Sequence, residues 1–196
     1  MQKSIIILGI ILSFSFLSQA QESKETVLEE SYLLNPFQSV INWKGSYLFK
    51  FAEHNGTVEF KKGKLFAKDG AITGGTFVID MTTITNEEHR LHKSNGPVEH
   101  LKNSDFFDVT LYPEARLDLN KVTYYSNTNE HRFEGDLTIK GITKSIMIKA
   151  RVDDIAKTIK TKFKINRRDW NVNYTNKFKD DAISDAMEFD ITLQFE

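Results

Sequence analysis

A period of two runs through most of the chain. In Phe133–Val152, Phe133, Leu137 and Ile139 alternate with Glu134, Asp136, Thr138 and Lys140. After a break at Gly141–Lys144, Ile146, Ile148, Ala150 and Val152 alternate with Met147, Lys149 and Arg151. Successive side chains of a strand point to opposite faces, so each half carries one apolar and one wet face. The glycine-bearing break predicts an antiparallel hairpin. A lone hairpin cannot bury such a face, so the rest of the chain must extend the sheet.

Further strands are predicted at Phe37–Lys44 and at Tyr47–Phe51 beyond Gly45-Ser46. Thr57–Lys61 and Lys64–Lys68 follow, with a turn at Lys61–Lys64 between them. Ala71–Met81 comes after the hairpin signal Asp69-Gly70, and Ala115–Leu119 and Val122–Tyr125 lie on either side of Asn120. Thr158–Ile165 alternates Ile159, Phe163 and Ile165, with Thr161 interrupting the apolar row. Met187–Phe195 is the cleanest strand, with Met187, Phe189, Ile191, Leu193 and Phe195 on one face. Gly74-Gly75 inside Ala71–Met81 predicts a bulge that bends the sheet. The alternation stops between Thr82 and Asp108, where Asn86–Lys93 and Pro97–Asn103 predict one or two short helices crossing between strands. Ser104–Asp108 reads as a tight turn that buries at least one Phe. Roughly eight to ten short strands, with turns between them and one helical excursion, predict a single antiparallel all-β domain, of a kind that closes into a barrel or splits into a sandwich.

The first twenty residues follow the order of a secretory signal: Lys3, an apolar run over Ile5–Leu17, then Ser18-Gln19-Ala20 at the cleavage position. The run is short of the ~20 residues a spanning helix needs. The expected organisation is a signal peptide at 1–20, a flexible leader at 21–36 and one domain at 37–196, in a protein without a stable membrane anchor. The signal by itself specifies export and no particular destination. The formal charge is −1 and becomes −2 once Lys3 leaves with the signal; with no large basic block, nucleic acid is not an expected partner. No cysteine is present, which removes disulfides, thiolate metal sites and cysteine nucleophiles. The 15 Phe, 6 Tyr and 2 Trp supply much aromatic surface that must be hidden.

Several segments carry a recognisable pattern. They are Trp43-Lys44-Gly45, His54–Val58 and Gly74–Met81, then HLKNSDFFDV at 100–109 ahead of Tyr112-Pro113. GDLTIKGITK at 135–144, Arg168–Val172 and Asp181–Asp185 complete the set. In order and spacing the chain resembles the YceI-like family of exported, lipocalin-like proteins over about residues 37–196. The resemblance implies an extended antiparallel β-barrel of about eight strands whose apolar bore holds an isoprenoid-type or fatty-chain lipid for storage or transport, with no catalysis and no cofactor, in a periplasmic protein, with full secretion as second choice. It departs from the family at residues 86–99 and in the lysine-bearing stretch after Tyr174.

The bore candidates are the apolar rows: Phe77, Ile79, Phe133, Leu137, Ile148, Phe163, Phe189 and Ile191. By pattern alone they serve equally well as an ordinary filled core, because an eight-stranded barrel is about the size at which the interior is either packed or holds one small ligand. A stress-linked, non-catalytic protein with a filled barrel is therefore a second expectation. His100, Arg167, Arg168, Trp170 and Tyr174 are candidates for the mouth, where Arg167-Arg168 with Lys177 and Lys179 could hold a carboxylate or phosphate. A third reading is an enzyme acting on a small apolar substrate through His100, Asp105 or the pair His89 and His92. Those two histidines have weak metal-ligand spacing, with no carboxylate to complete a set, and no metal is expected. Asp105 and Asp108 read as turn residues, and no nucleophile or phosphate-loop motif occurs. A homodimer is left open.

Overall fold

The computed structural model describes residues 29–47, 53–87, 96–173 and 183–196. The segment expected as a signal peptide, and with it His89, His92, Tyr174, Lys177 and Lys179, lies outside the described residues.

Among the described residues the strands are β1 (Glu29–Leu33), β2 (Val40–Tyr47), β3 (Glu53–Lys68), β4 (Ala71–Asp80), β5 (Glu114–Tyr125), β6 (Glu130–Ile139), β7 (Ile142–Asp153), β8 (Thr158–Asn166) and β9 (Ile183–Gln194), and the helix α1 (Gly96–Lys102) precedes β5. The strands hydrogen-bond antiparallel in the order β3-β2-β9-β8-β7-β6-β5-β4, and β3–β4 pairing closes the ring into an eight-stranded barrel. β1 is the extra strand. It pairs with β3 from Glu29↔Lys68 to Leu33↔Lys64 and continues the line of β2, so residues 29–33 of the expected flexible leader are ordered as sheet.

Several boundaries differ from the sequence expectation, each for a local reason. Phe37 is not in a strand: Asn35 caps the 3-10 turn Pro36–Gln38, accepting from the amides of Phe37 and Gln38, and the Phe37 ring stands 98% exposed. Lys61–Lys64 is not a turn, and Asn120 does not end a strand. Both are register shifts inside long strands, one in β3 between Phe60 and Lys62, the other in β5 between Leu119 and Lys121. One extra residue flips the inward parity, so Val58 and Phe60 give way to Leu65 and Ala67 on the inner face. The bulge expected near Gly74-Gly75 is present, since Phe66 pairs with Gly74 but Ala67 with Ile72. The turn between β6 and β7 is only Lys140-Gly141, both at positive φ, as is the Asp69-Gly70 turn between β3 and β4. At φ 78° Gly70 occupies a region costly for any side chain.

Up-and-down connectivity gives the barrel two unlike ends. At the turn end, β3–β4, β5–β6 and β7–β8 are joined by the short connections Asp69-Gly70, Ser126–Asn129 and Asp154–Lys157. At the crossing end lie the β2–β3 connection, the Lys140-Gly141 turn, the long β4–β5 passage over residues 81–113, and the β8–β9 passage that begins with the 3-10 turn Arg167–Trp170. Among the described residues α1 is the helix of the expected excursion, and both Phe106 and Phe107 behind it are buried.

Candidate functional site: an apolar bore

Inward parity from all eight barrel strands converges on one cavity of about 120 Å³. Each of the eight bore candidates, Phe77, Ile79, Phe133, Leu137, Ile148, Phe163, Phe189 and Ile191, lines it. Among the described residues, Thr161 is the one lining residue with a polar side chain apart from the indole of Trp43. From Phe133 to Ile139, both on the wall, runs about 20 Å of strand at the usual rise per residue. Ile79, Leu117, Phe163, Phe189 and Ile191 face inward yet are only partly buried, whereas Phe77, Phe133 and Ile148 are 2–5% exposed. Free surface therefore remains inside the ring.

The turn end is shut by apolar packing. Phe77 sits edge-to-face between Phe60 (6.3 Å) and Phe195 (6.4 Å), with Leu34 buried beside Phe195 through a bridge between their backbones. Such aromatic pairs add about 1 kcal/mol each to the burial itself.

The crossing end is held by side chains that satisfy irregular backbone. Met81, Ile84 and Phe107 line the cavity there, with Leu101 and Phe106 buried behind them. Asp80 caps the 3-10 turn Met81–Thr83 by accepting from the Thr82 amide, after which the chain runs back along β3. Thr85 N–H donates to the Thr57 carbonyl at 2.8 Å, and the Glu59 and Thr57 amides donate to Thr83 and Thr85 hydroxyls. Gly56 makes this approach feasible, because a Cβ there would lie 2.0 Å from the Thr85 carbonyl oxygen. The Trp43 indole N–H donates to the same Thr85 oxygen at 3.0 Å.

The mouth candidates do not form one cluster. Arg167 is 2% exposed: its guanidinium donates to the Ser184 and Val172 carbonyls and pairs with Asp185 at 3.2 Å. Burial pulls its pKa below the ordinary arginine value and the Asp185 carboxylate pushes the other way. It is a latch tying the 3-10 turn to β9, not a group offered to a ligand. Arg168 is exposed and pairs with Asp185 at 2.7 Å. Trp170 is 2% exposed, with its indole N–H on the Leu137 carbonyl at 3.0 Å. His100 is exposed on α1 and does not line the cavity. Asp105 is exposed, and Asp108 serves through its backbone, accepting from Leu111 and Tyr112 amides at positive φ. Among the described residues no group of His, Asp and Glu could hold a metal ion.

Sequence reasoning missed Trp43, Phe60, Met81, Ile84 and Phe107 as parts of the wall. The parity signal was there for Phe60; for Ile84 and Phe107, which sit in irregular chain, no periodicity existed to find them.

A protein-family model described as "YceI-like domain" matches residues 32–195. Among solved structures the fold is similar to that of Burkholderia cenocepacia BcnA, with a TM-score of 0.66 and 17% identity, covering 82% of this chain and 98% of that one. A Campylobacter jejuni YCEI protein aligns over 78% of this chain and 84% of its own at 18% identity and a TM-score of 0.47. No curated protein matches significantly.

Proposed function

Because the chain belongs to the YceI-like family, we propose that it is an exported, non-catalytic protein that carries or stores an isoprenoid-type or fatty-chain lipid in the bore of its barrel. The observation that carries this reading is the continuous apolar wall contributed by all eight strands, with free surface left inside it. Each methylene moved from water into such a wall contributes about 0.8 kcal/mol, so ten contribute roughly 8 kcal/mol before association costs. No catalytic group is needed for that. The order Lys3, Ile5–Leu17, Ser18-Gln19-Ala20 supports export, and the family resemblance supports the periplasm as destination.

The test is mass spectrometry of protein purified without denaturation, then of its organic-solvent extract. A stoichiometric lipid, or saturable uptake of a fatty acid or isoprenoid quinone by the emptied protein, is the expected result. Protein that is empty and refuses both on titration contradicts the reading and leaves a barrel with a filled core.

A further inference from the structure

The barrel wall is not uniformly closed. β6 pairs with β7 along its whole length, up to Ile139↔Ile142, and β8 pairs with β9 up to Asn166↔Ala186. Between them, β7 and β8 pair only from Asp153↔Thr158 to Ala150↔Thr161. Toward the crossing end the two strands fork. At the fork the Thr161 hydroxyl donates to the Lys149 carbonyl at 2.8 Å, a side chain standing where the next backbone bond of the ladder would be. Farther along, Trp170 is anchored on the Leu137 carbonyl of β6 and Arg167 on β9, so the 3-10 turn between them wedges the fork.

Between the fork and the wedge, Ile146 on β7 and Phe163 on β8 both line the cavity and are both only partly buried. The slit therefore leads to the bore itself. Its flanks are cationic: β7 and β8 carry Lys144, Lys149, Arg151, Lys160, Lys162 and Lys164 against Asp153 alone, in a chain of net charge −1. Acids on the flanking strands offset part of this, among them Asp190 of β9 opposite Lys162 and Asp136 of β6 opposite Ser145. Glu130 meets Lys149 at 3.2 Å, and the single Glu188 carboxylate is shared by Lys162 (3.0 Å), Lys164 (3.3 Å) and Lys44 (3.8 Å). Lys144 is exposed on the inward-parity row of β7, two residues from Ile146 and opposite Leu137.

We propose that the β7–β8 fork is a lateral portal, through which a single-chain lipid with an anionic head group enters tail first and leaves its head at the slit beside Lys144. The proposal rests on the bore being a lipid site and adds its route and head-group class. An apolar slit admits the chain without exposing it to water, while ammonium groups on both flanks raise the local concentration of an anionic amphiphile and hold its head by charge-assisted hydrogen bonds.

The test staples the fork. In a Met147→Cys/Lys164→Cys variant, two outward-facing, exposed positions on either side of the slit are joined by a short bis-maleimide; the chain has no other cysteine. Glu134→Cys/Met147→Cys, across the fully paired β6–β7 seam, is the control. A fluorescent fatty acid is loaded before stapling and its release followed. The expected result is release at least tenfold slower from the β7–β8 staple and unchanged from the control. Equal release from both overturns the portal while leaving the bore as a lipid site, whereas unstapled protein that takes up no lipid overturns both. For the head group, fatty acid is expected to associate at least fivefold faster than the matching fatty alcohol at low salt, with the difference shrinking at high salt and in Lys144→Gln. Equal, salt-independent rates overturn the anionic assignment.

Discussion

The two ends of this barrel solve the same problem by different means. At the turn end the strands are joined by connections of two to four residues, and the interior is sealed by Phe60, Phe77, Phe195 and Leu34, all buried. At the crossing end the described residues between strands are irregular, and backbone carbonyls there and on the adjoining strand ends accept from side chains: Trp43 on Thr85, Trp170 on Leu137, Arg167 on Ser184 and Val172, Lys140 on Ser104. Short turns let the strand ladder do this work, whereas long crossings leave orphan carbonyls that must each find a donor. The turn end is thus a matter of packing and the crossing end a matter of hydrogen bonding, and access to the bore belongs to the second.

The largest effect should come from the packed end. Phe77→Ala leaves a cavity in the seal and should lower unfolding free energy by about 4 kcal/mol, read from urea unfolding. Arg167→Ala, at the other end, strips donors from two carbonyls and unpairs Asp185, and should cost about 3 kcal/mol. It should also speed lipid release, which Phe77→Ala should not do if access lies at the crossing end. Trp170→Phe and Trp43→Phe keep an aromatic ring but remove one indole donor from a backbone carbonyl each, at about 1–2 kcal/mol apiece.

The smallest effect is one of pH, at the turn end. His131 stacks between Tyr124 (4.6 Å) and Phe133 (6.0 Å), and its Nδ1 is buried without a hydrogen-bond partner. Burial holds its pKa below the usual value, opposed by Asp154, so the folded state prefers the neutral ring. A depressed folded pKa means the unfolded chain takes up the proton first as pH falls. This contribution to stability is whole above about 6.5, the unfolded histidine value, and is lost as pH drops from there toward the folded pKa. His131→Phe should flatten that segment of the stability–pH curve and leave the curve above pH 7 parallel to the parent.

Legibility in the sequence followed the same division. Where backbone bonds run strand to strand, period two exposed the apolar row of each strand, Phe77 and Phe133 among them, whereas closure into a barrel rather than a sandwich was legible only through the family resemblance. Parity failed only at the bulges near Lys61 and Asn120, where one extra residue imitates a turn. At the crossing end, contacts such as Trp43 on Thr85 join residues 42 apart through single hydrogen bonds that leave no periodic trace. Arg167 looked like a surface cation for that reason: nothing in its neighbours announces the carbonyls that bury it. The β7–β8 fork was equally silent, although Thr161, the interruption in an apolar row, marks its apex.

The central claim is that the bore is open space lined for a lipid, and Ile191→Trp tests it most directly. Ile191 faces the cavity and is only partly buried. In an open bore the indole occupies free volume, so urea unfolding should move by less than about 0.5 kcal/mol while lipid uptake falls at least tenfold. A loss of about 2 kcal/mol or more, the usual cost of overpacking a filled core, with lipid uptake unchanged, would contradict it.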